Sequence, residues 1–167
     1  QYIHFAVDGA KRMRAIILDI LEFSRIGKYE EAPQEVNLNQ VLDEVCTLLN
    51  SVIIEKQATI QYPNLPILIT HQLPVQQIFM NLISNSLKYC KEEVIPIITI
   101  AAEEKQDFWE FSVSDNGIGI EKEYYDRIFE IFQRLHSKGE YSGTGVGLAI
   151  VKKTIENLGG KVWLESK

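Results

Sequence analysis

Asp115 stands at the end of a stretch, Phe111-Ser-Val-Ser114, in which apolar and polar side chains alternate as on a strand with one covered face. Asn116, Gly117, Ile118 and Gly119 follow it. The asparagine and the first glycine break the extended backbone. Glycines two residues apart permit positive φ and let a flat ligand lie close to the main chain. A lone carboxylate beside bare backbone suits a ligand that offers N–H donors. Taken alone, such a turn also fits an ordinary surface loop.

A second glycine cluster shifts the balance. Ser142-Gly-Thr-Gly-Val-Gly-Leu-Ala-Ile150 leads straight into a helical pattern, and six of the ten glycines fall between Gly117 and Gly147. A glycine-rich loop that opens a helix leaves main-chain N–H groups unpaired at the positive end of the helix dipole, which is a ready anion site. No Gly-Lys-Ser/Thr follows, so this is not a P-loop. No HRD or DFG is present, which excludes the protein-kinase set. A third group lies on a predicted helix from Pro74 to about Cys90. Its broad apolar face carries Val75, Ile78, Phe79, Leu82, Ile83, Leu87 and Cys90. Opposite runs a narrow stripe of Asn81, Asn85 and Lys88 at i, i+4 and i+7, with Tyr89 at its edge. Two stacked asparagines are poor helix formers, and a solvated face more often carries Glu and Lys. Amide oxygens in line with an ammonium suit a hard cation and the phosphates it bridges. The stripe fits such a site and a solvated face equally well.

These groups need a scaffold, and 167 residues supply one core with an appendage. At 46% apolar and 24% charged the chain is expected to be globular and soluble. A net charge of −6 argues against a nucleic-acid partner. No apolar run approaches the roughly 20 residues that span a bilayer, and no secretory signal is visible. Cys46 and Cys90 lack CxxC spacing and read as reduced core thiols of a cytoplasmic protein.

Residues 1–26 read as one long helix. Ile3, Ala6, Ala10, Met13, Ile17, Ile20 and Ser24 recur at alternating three- and four-residue steps, the seam of a bundle or coiled coil. At roughly 38 Å it is too long to cap a small domain alone, so an intermolecular bundle is expected. Gly27 to Pro33 is a break. A strand over 35–38 precedes a helix over 39–56, capped by Asn37 or Asn39. Strands at 58–62 and 67–70 flank a turn with Pro63, Asn64 and Pro66. Residues 95–100 and 108–113 predict a hairpin about the polar turn 103–107. Residues 121–142 are expected to form a lid, with Arg134 and Lys138 within reach of phosphates. A helix over 144–158 and a strand from Lys161 to Glu165 complete the order.

Together these stretches resemble a known family, the sensor histidine kinases. Asn81-Leu-Ile-Ser-Asn85-Ser-Leu-Lys88-Tyr89 resembles their N box, and Asp115-Asn-Gly117-Ile-Gly119 their G1 box. Phe129-Glu-Ile-Phe132 resembles the F box, and Gly143-Thr-Gly145-Val-Gly147-Leu the G2 box. The four occur in the family's order across residues 34–167. The run from Tyr2 to Met13 is similar to the second helix of the dimerisation and phosphotransfer hairpin in phytochrome-like kinases. The resemblance implies a two-layer α/β sandwich of the GHKL (Bergerat) type, with a mixed sheet, three main helices and an added N-terminal bundle helix. It divides the chain into hairpin helix (1–28), linker (29–33) and ATP-binding catalytic domain (34–167), with the hairpin and the last strand expected to be truncated.

It further implies ATP and Mg²⁺ as ligands. Asp115 would accept the adenine amino group, with Gly117 and Gly119 beside the base. Asn85 would ligate Mg²⁺, supported by Asn81. Lys88 would meet phosphate oxygens, and Tyr89 the base or the phosphates. Phe132, Arg134, Gly143, Thr144, Gly145, Val146, Gly147 and Leu148 would complete the nucleotide site. Gyrase-type relatives place a catalytic glutamate where this chain has Asn81, which argues for transfer to another group rather than hydrolysis. The family's acceptor histidine sits in an H box, and none is present. His4, His71 and His136 lie outside such a context, so no catalytic residue is assigned and the chain is expected to be a fragment. The implied function is transfer of the ATP γ-phosphoryl to a histidine outside this stretch and then to a response-regulator aspartate. Implied partners are a second copy, through the hairpin, and a receiver domain. The implied location is cytoplasmic, and a membrane anchor elsewhere in a longer protein stays open. Two other readings compete: a non-catalytic nucleotide-binding dimerisation module and a free-standing GHKL ATPase.

Overall fold

The computed structural model describes residues 2–29, 31–91, 93–133 and 143–166. They form two compact units, one of Gln1–Tyr29 with Lys122–Leu164 and one of Glu30–Glu121 with Glu165–Lys167.

The second unit opens with strand β1 (Gln34–Asn37). Asn37 has extended dihedrals, and its Oδ1 accepts the N–H groups of Asn39 at 3.0 Å and Gln40 at 3.4 Å. That cap satisfies donors the helix cannot, and α2 (Leu38–Leu48) begins there. Leu38, Val41, Leu42 and Val45 recur on one face and are buried. Asn37→Ala is expected to lower stability by about 1 kcal/mol, read from the urea midpoint at unchanged m-value. The pattern predicts one helix over 39–56, and the structure divides it. Leu49, at φ −93° and ψ 3°, interrupts the chain before α3 (Asn50–Glu55).

Asn39 fastens the connection that follows β2 (Thr59–Gln61). Its Nδ2 donates to the Pro63 carbonyl at 3.2 Å, and its Oδ1 accepts the Leu65 N–H at 2.8 Å. The strand beyond, β3 (Ile67–Thr70), pairs antiparallel with β1, Glu35 opposite Ile69. The two strands that flank the proline turn therefore lie in different sheets. β2 runs parallel to β4 (Ile97–Glu104), which is antiparallel to β5 (Trp109–Asp115). The result is a mixed sheet in the order β2-β4-β5. β4 starts after Pro96, later than the pattern predicts, and extends past Ile100, so the hairpin turn is tighter and closes with Lys105 N–H on the Phe108 carbonyl at 2.9 Å. Between β3 and β4 lies α4 (Gln72–Lys88). Pro74 occupies its first turn, where no N–H is needed. α4 packs against α2 and β5. Val75, Phe79, Ile83, Ser86 and Leu87 are buried on it, and Ile98 and Ile100 are buried on β4.

The first unit holds α1 (Tyr2–Arg25), which ends before Gly27 at φ +90°. It also holds α5 (Gly147–Asn157) and two short 3₁₀ turns, Lys122–Tyr124 and Arg127–Phe129. Along α1 the predicted seam faces outward, with Met13 61% and Ile17 57% exposed. A different side meets α5. Lys153 Nζ donates to the Phe23 carbonyl at 2.9 Å and lies 4.1 Å from the centre of its ring. Ile128, in the second 3₁₀ turn, is the buried anchor of the segment read as a lid, and that turn packs against α5. The expected strand at 161–165 is not formed. These residues alternate in exposure as a strand would, but no neighbouring chain pairs with them among the described residues.

Candidate functional site

Asp115 is the last residue of β5, as the alternation predicts, and its carboxylate is exposed. Both of its oxygens are held. Oδ1 accepts the Gly117 N–H at 2.9 Å, and Oδ2 accepts the Ser86 hydroxyl of α4 at 2.8 Å. The turn beyond is pinned to the end of the same helix, because Ile118 N–H donates to the Tyr89 carbonyl at 3.0 Å. A Cβ on Gly117 would run into that carbonyl and into Asp115 Oδ1, so only glycine allows this approach. Gly119 follows at φ +74°, a conformation that favours glycine. Asn116 closes the turn from the other side. Its Oδ1 accepts the Ile97 N–H at 2.8 Å, and its Nδ2 donates to the Ile95 carbonyl at 2.9 Å.

The stripe on α4 comes out as spaced. Asn81, Asn85 and Lys88 are half-buried on the helix, and Tyr89 caps its C-terminus. Asn81 Nδ2 donates back to the Gln77 carbonyl at 3.0 Å, which ties that amide to its own helix. The Asn85 carboxamide makes no hydrogen bond among the described residues, so its oxygen is free to ligate. Lys88 Nζ donates to the Tyr89 hydroxyl at 2.8 Å and lies 4.3 Å from the centre of its ring. The pair is a pre-set ammonium and phenol, one turn from Asn85. Among the described residues there is no cluster of three or more His, Cys, Asp or Glu side chains for a metal. A cation here would rest on amide oxygen and on oxygens of the ligand.

In the first unit the glycine loop turns through two glycines in the left-handed region. Gly143 and Gly145 take φ of +145° and +79°. Val146 then precedes α5 without a side-chain cap for the first-turn N–H groups among the described residues. The helix starts at Gly147 rather than at Thr144 because the left-handed Gly145 cannot belong to it. Val146 is fully buried, so only its main chain is available to a ligand; Gly147 and Leu148 form the first turn of α5. The Thr144 hydroxyl donates to Asp19 Oδ2 of α1. Phe132, half exposed and at φ +67°, donates its N–H to the Gly145 carbonyl at 2.9 Å. Arg134, His136 and Lys138 lie outside the described residues.

Sequence reasoning missed Ser86, Asn116 and Asp19. Ser86 sits inside the motif Asn85-Ser-Leu-Lys88, but its partner is 29 residues away, and periodicity carries no such signal. The thiols need one correction. Cys90 is buried as expected, whereas Cys46 is half-buried and lines an open groove of about 480 Å³ with Thr47, Asn50, Ile53, Ile60 and Tyr62. Burial and then the charge of Asp43 push the Cys46 thiol up, against a hydrogen bond with Tyr62.

The family model of histidine kinase-, DNA gyrase B- and HSP90-like ATPases matches residues 70–167, which include α4, the Asp115 turn and the glycine loop. The chain belongs to this family of ATPases. Within it the sequence is of the histidine-kinase type. Cyanobacterial phytochrome A of Nostoc sp. is 44% identical over 167 residues, covering 100% of this chain and 22% of that protein. The catalytic domain of the histidine kinase ThkA is 27% identical with a TM-score of 0.69, over 82% of this chain and 89% of that one. ThkA solved in complex with the response regulator protein TrrA gives a TM-score of 0.71 at 25% identity, over 99% of this chain and 47% of that one. The GHKL-type α/β fold follows from these likenesses. The chain spans about a fifth of the length of the phytochrome relatives it matches. No helix among the described residues is long and apolar enough to cross a membrane.

Proposed function

We propose that this chain is the nucleotide-binding, catalytic part of a protein-histidine kinase. It would hold Mg·ATP so that the Nε2 or Nδ1 of a histidine outside it attacks the γ-phosphorus in line. A nitrogen–phosphorus bond forms, the bond to the β–γ bridging oxygen breaks, and ADP leaves. The observation that carries the reading is the fastening of the Asp115 turn to the end of α4, Ile118 N–H to Tyr89 carbonyl at 3.0 Å. It brings Asp115 to the end of α4 that carries Asn85, Lys88 and Tyr89.

In this reading Asp115 takes the adenine amino group, and Gly117 and Gly119 let the base lie on backbone. Asn85 gives its amide oxygen to Mg²⁺, Asn81 supports it, Lys88 meets the phosphates, and Tyr89 meets the base or the phosphates. The main chain from Gly143 to Leu148, Phe132 and Arg134 are the residues proposed to complete the contacts with the polyphosphate. When bound, Mg²⁺ neutralises charge on the β- and γ-phosphates, and the protein's part is positioning and charge compensation. Asn81 supplies no base for water, which favours transfer over hydrolysis. Asn85→Ala is expected to weaken nucleotide binding in Mg²⁺ by about tenfold, and to change binding in chelator by much less, as calorimetry with and without the metal would read.

Residues 1–28 serve as one helix of a dimerising hairpin in this account, supported by the outward seam of Met13 and Ile17. Residues 34–167 form the catalytic domain, and a response-regulator receiver domain takes the phosphoryl group next. The deciding experiment supplies γ-labelled ATP to the chain together with a histidine-bearing acceptor helix hairpin. Label on the hairpin that is lost in acid and kept in alkali is the expected product. Nucleotide binding without transfer would favour a non-catalytic dimerisation module. Steady phosphate release by the chain alone would mark a free-standing ATPase.

A further inference from the structure

Ser86 is an unusual choice for its place. It lies on the buried face of α4, 8% exposed, between Ile83 and Leu87, which are fully buried. Alanine would fit that face with better helix propensity and no polar atom to satisfy. Serine and threonine hydroxyls inside helices usually bond back to a carbonyl one turn earlier. Two others here do so: Ser84 donates to the Asn81 carbonyl at 3.1 Å, and Thr47 to the Asp43 carbonyl at 2.8 Å. Ser86 instead spends its one proton across elements, on Asp115 Oδ2 at 2.8 Å.

The consequence lies in the carboxylate. With Gly117 N–H on Oδ1 and Ser86 on Oδ2, its plane cannot turn about the Cβ–Cγ bond without losing a donor. The lone pairs that remain point in fixed directions. Without Ser86 only the main-chain donor of the neighbouring turn would remain, and the plane would be free to swing about it. A carboxylate held as an acceptor rewards a base with an N–H at that point and repels one with a carbonyl oxygen there. We propose that Ser86 is a positioning residue that fixes Asp115 and thereby sets the preference for a 6-amino purine over purines lacking that group. This rests on the assignment of Asp115 to the base.

The test compares affinities of the intact chain for Mg·ATP and for the triphosphate of purine riboside, which lacks the 6-amino group. Ser86→Ala is expected to weaken ATP about fivefold and to leave the analogue within about twofold, so that the preference shrinks. Ser86→Thr, which keeps the hydroxyl, should restore the preference. A thermal melt of each variant establishes that it folds. An unchanged ratio in Ser86→Ala overturns the proposal, whether both affinities fall, as for a merely structural role, or neither does. Asp115→Asn on the same pair separates the two failures. If it collapses the ratio while Ser86→Ala does not, Ser86 alone is wrongly assigned. If neither variant changes the ratio, the base assignment fails and takes this inference with it.

Discussion

Asp115→Asn is expected to weaken Mg·ATP binding by about 1.5–3 kcal/mol, roughly ten- to a hundredfold. The substitution keeps shape and removes charge. The carboxamide oxygen can still accept the Gly117 N–H. Its NH₂ must then take the place of Oδ2 and face the Ser86 hydroxyl, which can rotate to accept. The atom presented to a ligand amino group is now a donor rather than a charged acceptor. The charge-assisted hydrogen bond is lost, and a donor meets a donor. Fold stability should change little, since the side chain is exposed. Titration calorimetry on wild type and variant reads the effect, and equal affinities would remove Asp115 from the base site.

Ile83→Ala should act in the opposite way, with stability falling by about 2–5 kcal/mol while nucleotide affinity is kept. Ile83 is fully buried on α4 and belongs to the face opposite Asn81, Asn85 and Lys88. Removing three carbons leaves a cavity where α4 meets its neighbours, and a close-packed interior relaxes only in part. α4 remains a helix, since alanine has the better propensity. The stripe that faces the ligand therefore keeps its spacing. Urea unfolding should show a lower midpoint at similar slope, and the affinity of the folded variant should stay within about twofold of wild type. A loss below 1 kcal/mol would mean that Ile83 does not anchor the helix.

The parts of the fold that the sequence predicts well are those where one periodicity runs unbroken to a stop signal. α4 has a helical apolar face bounded by Pro74 and the Tyr89 end, and β5 alternates up to Asp115 and its glycines. The helix over 39–56 shows the limit. Leu48, Leu49, Val52 and Ile53 continue the apolar period, and no glycine or proline marks the break at Leu49, yet Leu48 is 64% exposed. Pro63 and Pro66 announce a turn but not its direction. Two hydrogen bonds with the Asn39 side chain, one donated and one accepted, hold that connection, and β3 pairs with β1. Residues 161–165 alternate like a strand, but a strand needs a partner ladder, which alternation alone cannot supply. At the site, the types and spacing of Asn85, Lys88, Asp115 and Gly117 carry the chemistry in the sequence. The groups that orient them do not. Ser86, Asn116 and the Asp19 contact with Thr144 join residues far apart in the chain, and only the folded chain brings them together.

The α1 contacts add a property of the first unit. Asp19 occupies the hydroxyl of Thr144, within the loop proposed to grip phosphates, and Phe23 holds Lys153 of the helix that follows. The seam on the other side of α1, with Met13 and Ile17, faces outward.

In the proposed function, the carboxylate at the end of β5 selects the base. A crystal structure of the chain with Mg²⁺ and a non-hydrolysable ATP analogue measures this directly. The adenine amino nitrogen is expected about 2.9 Å from an oxygen of Asp115, with the ring against Gly117 and Gly119 and the metal on Asn85. A base bound away from Asp115, with its amino group in solvent or on another residue, would contradict it.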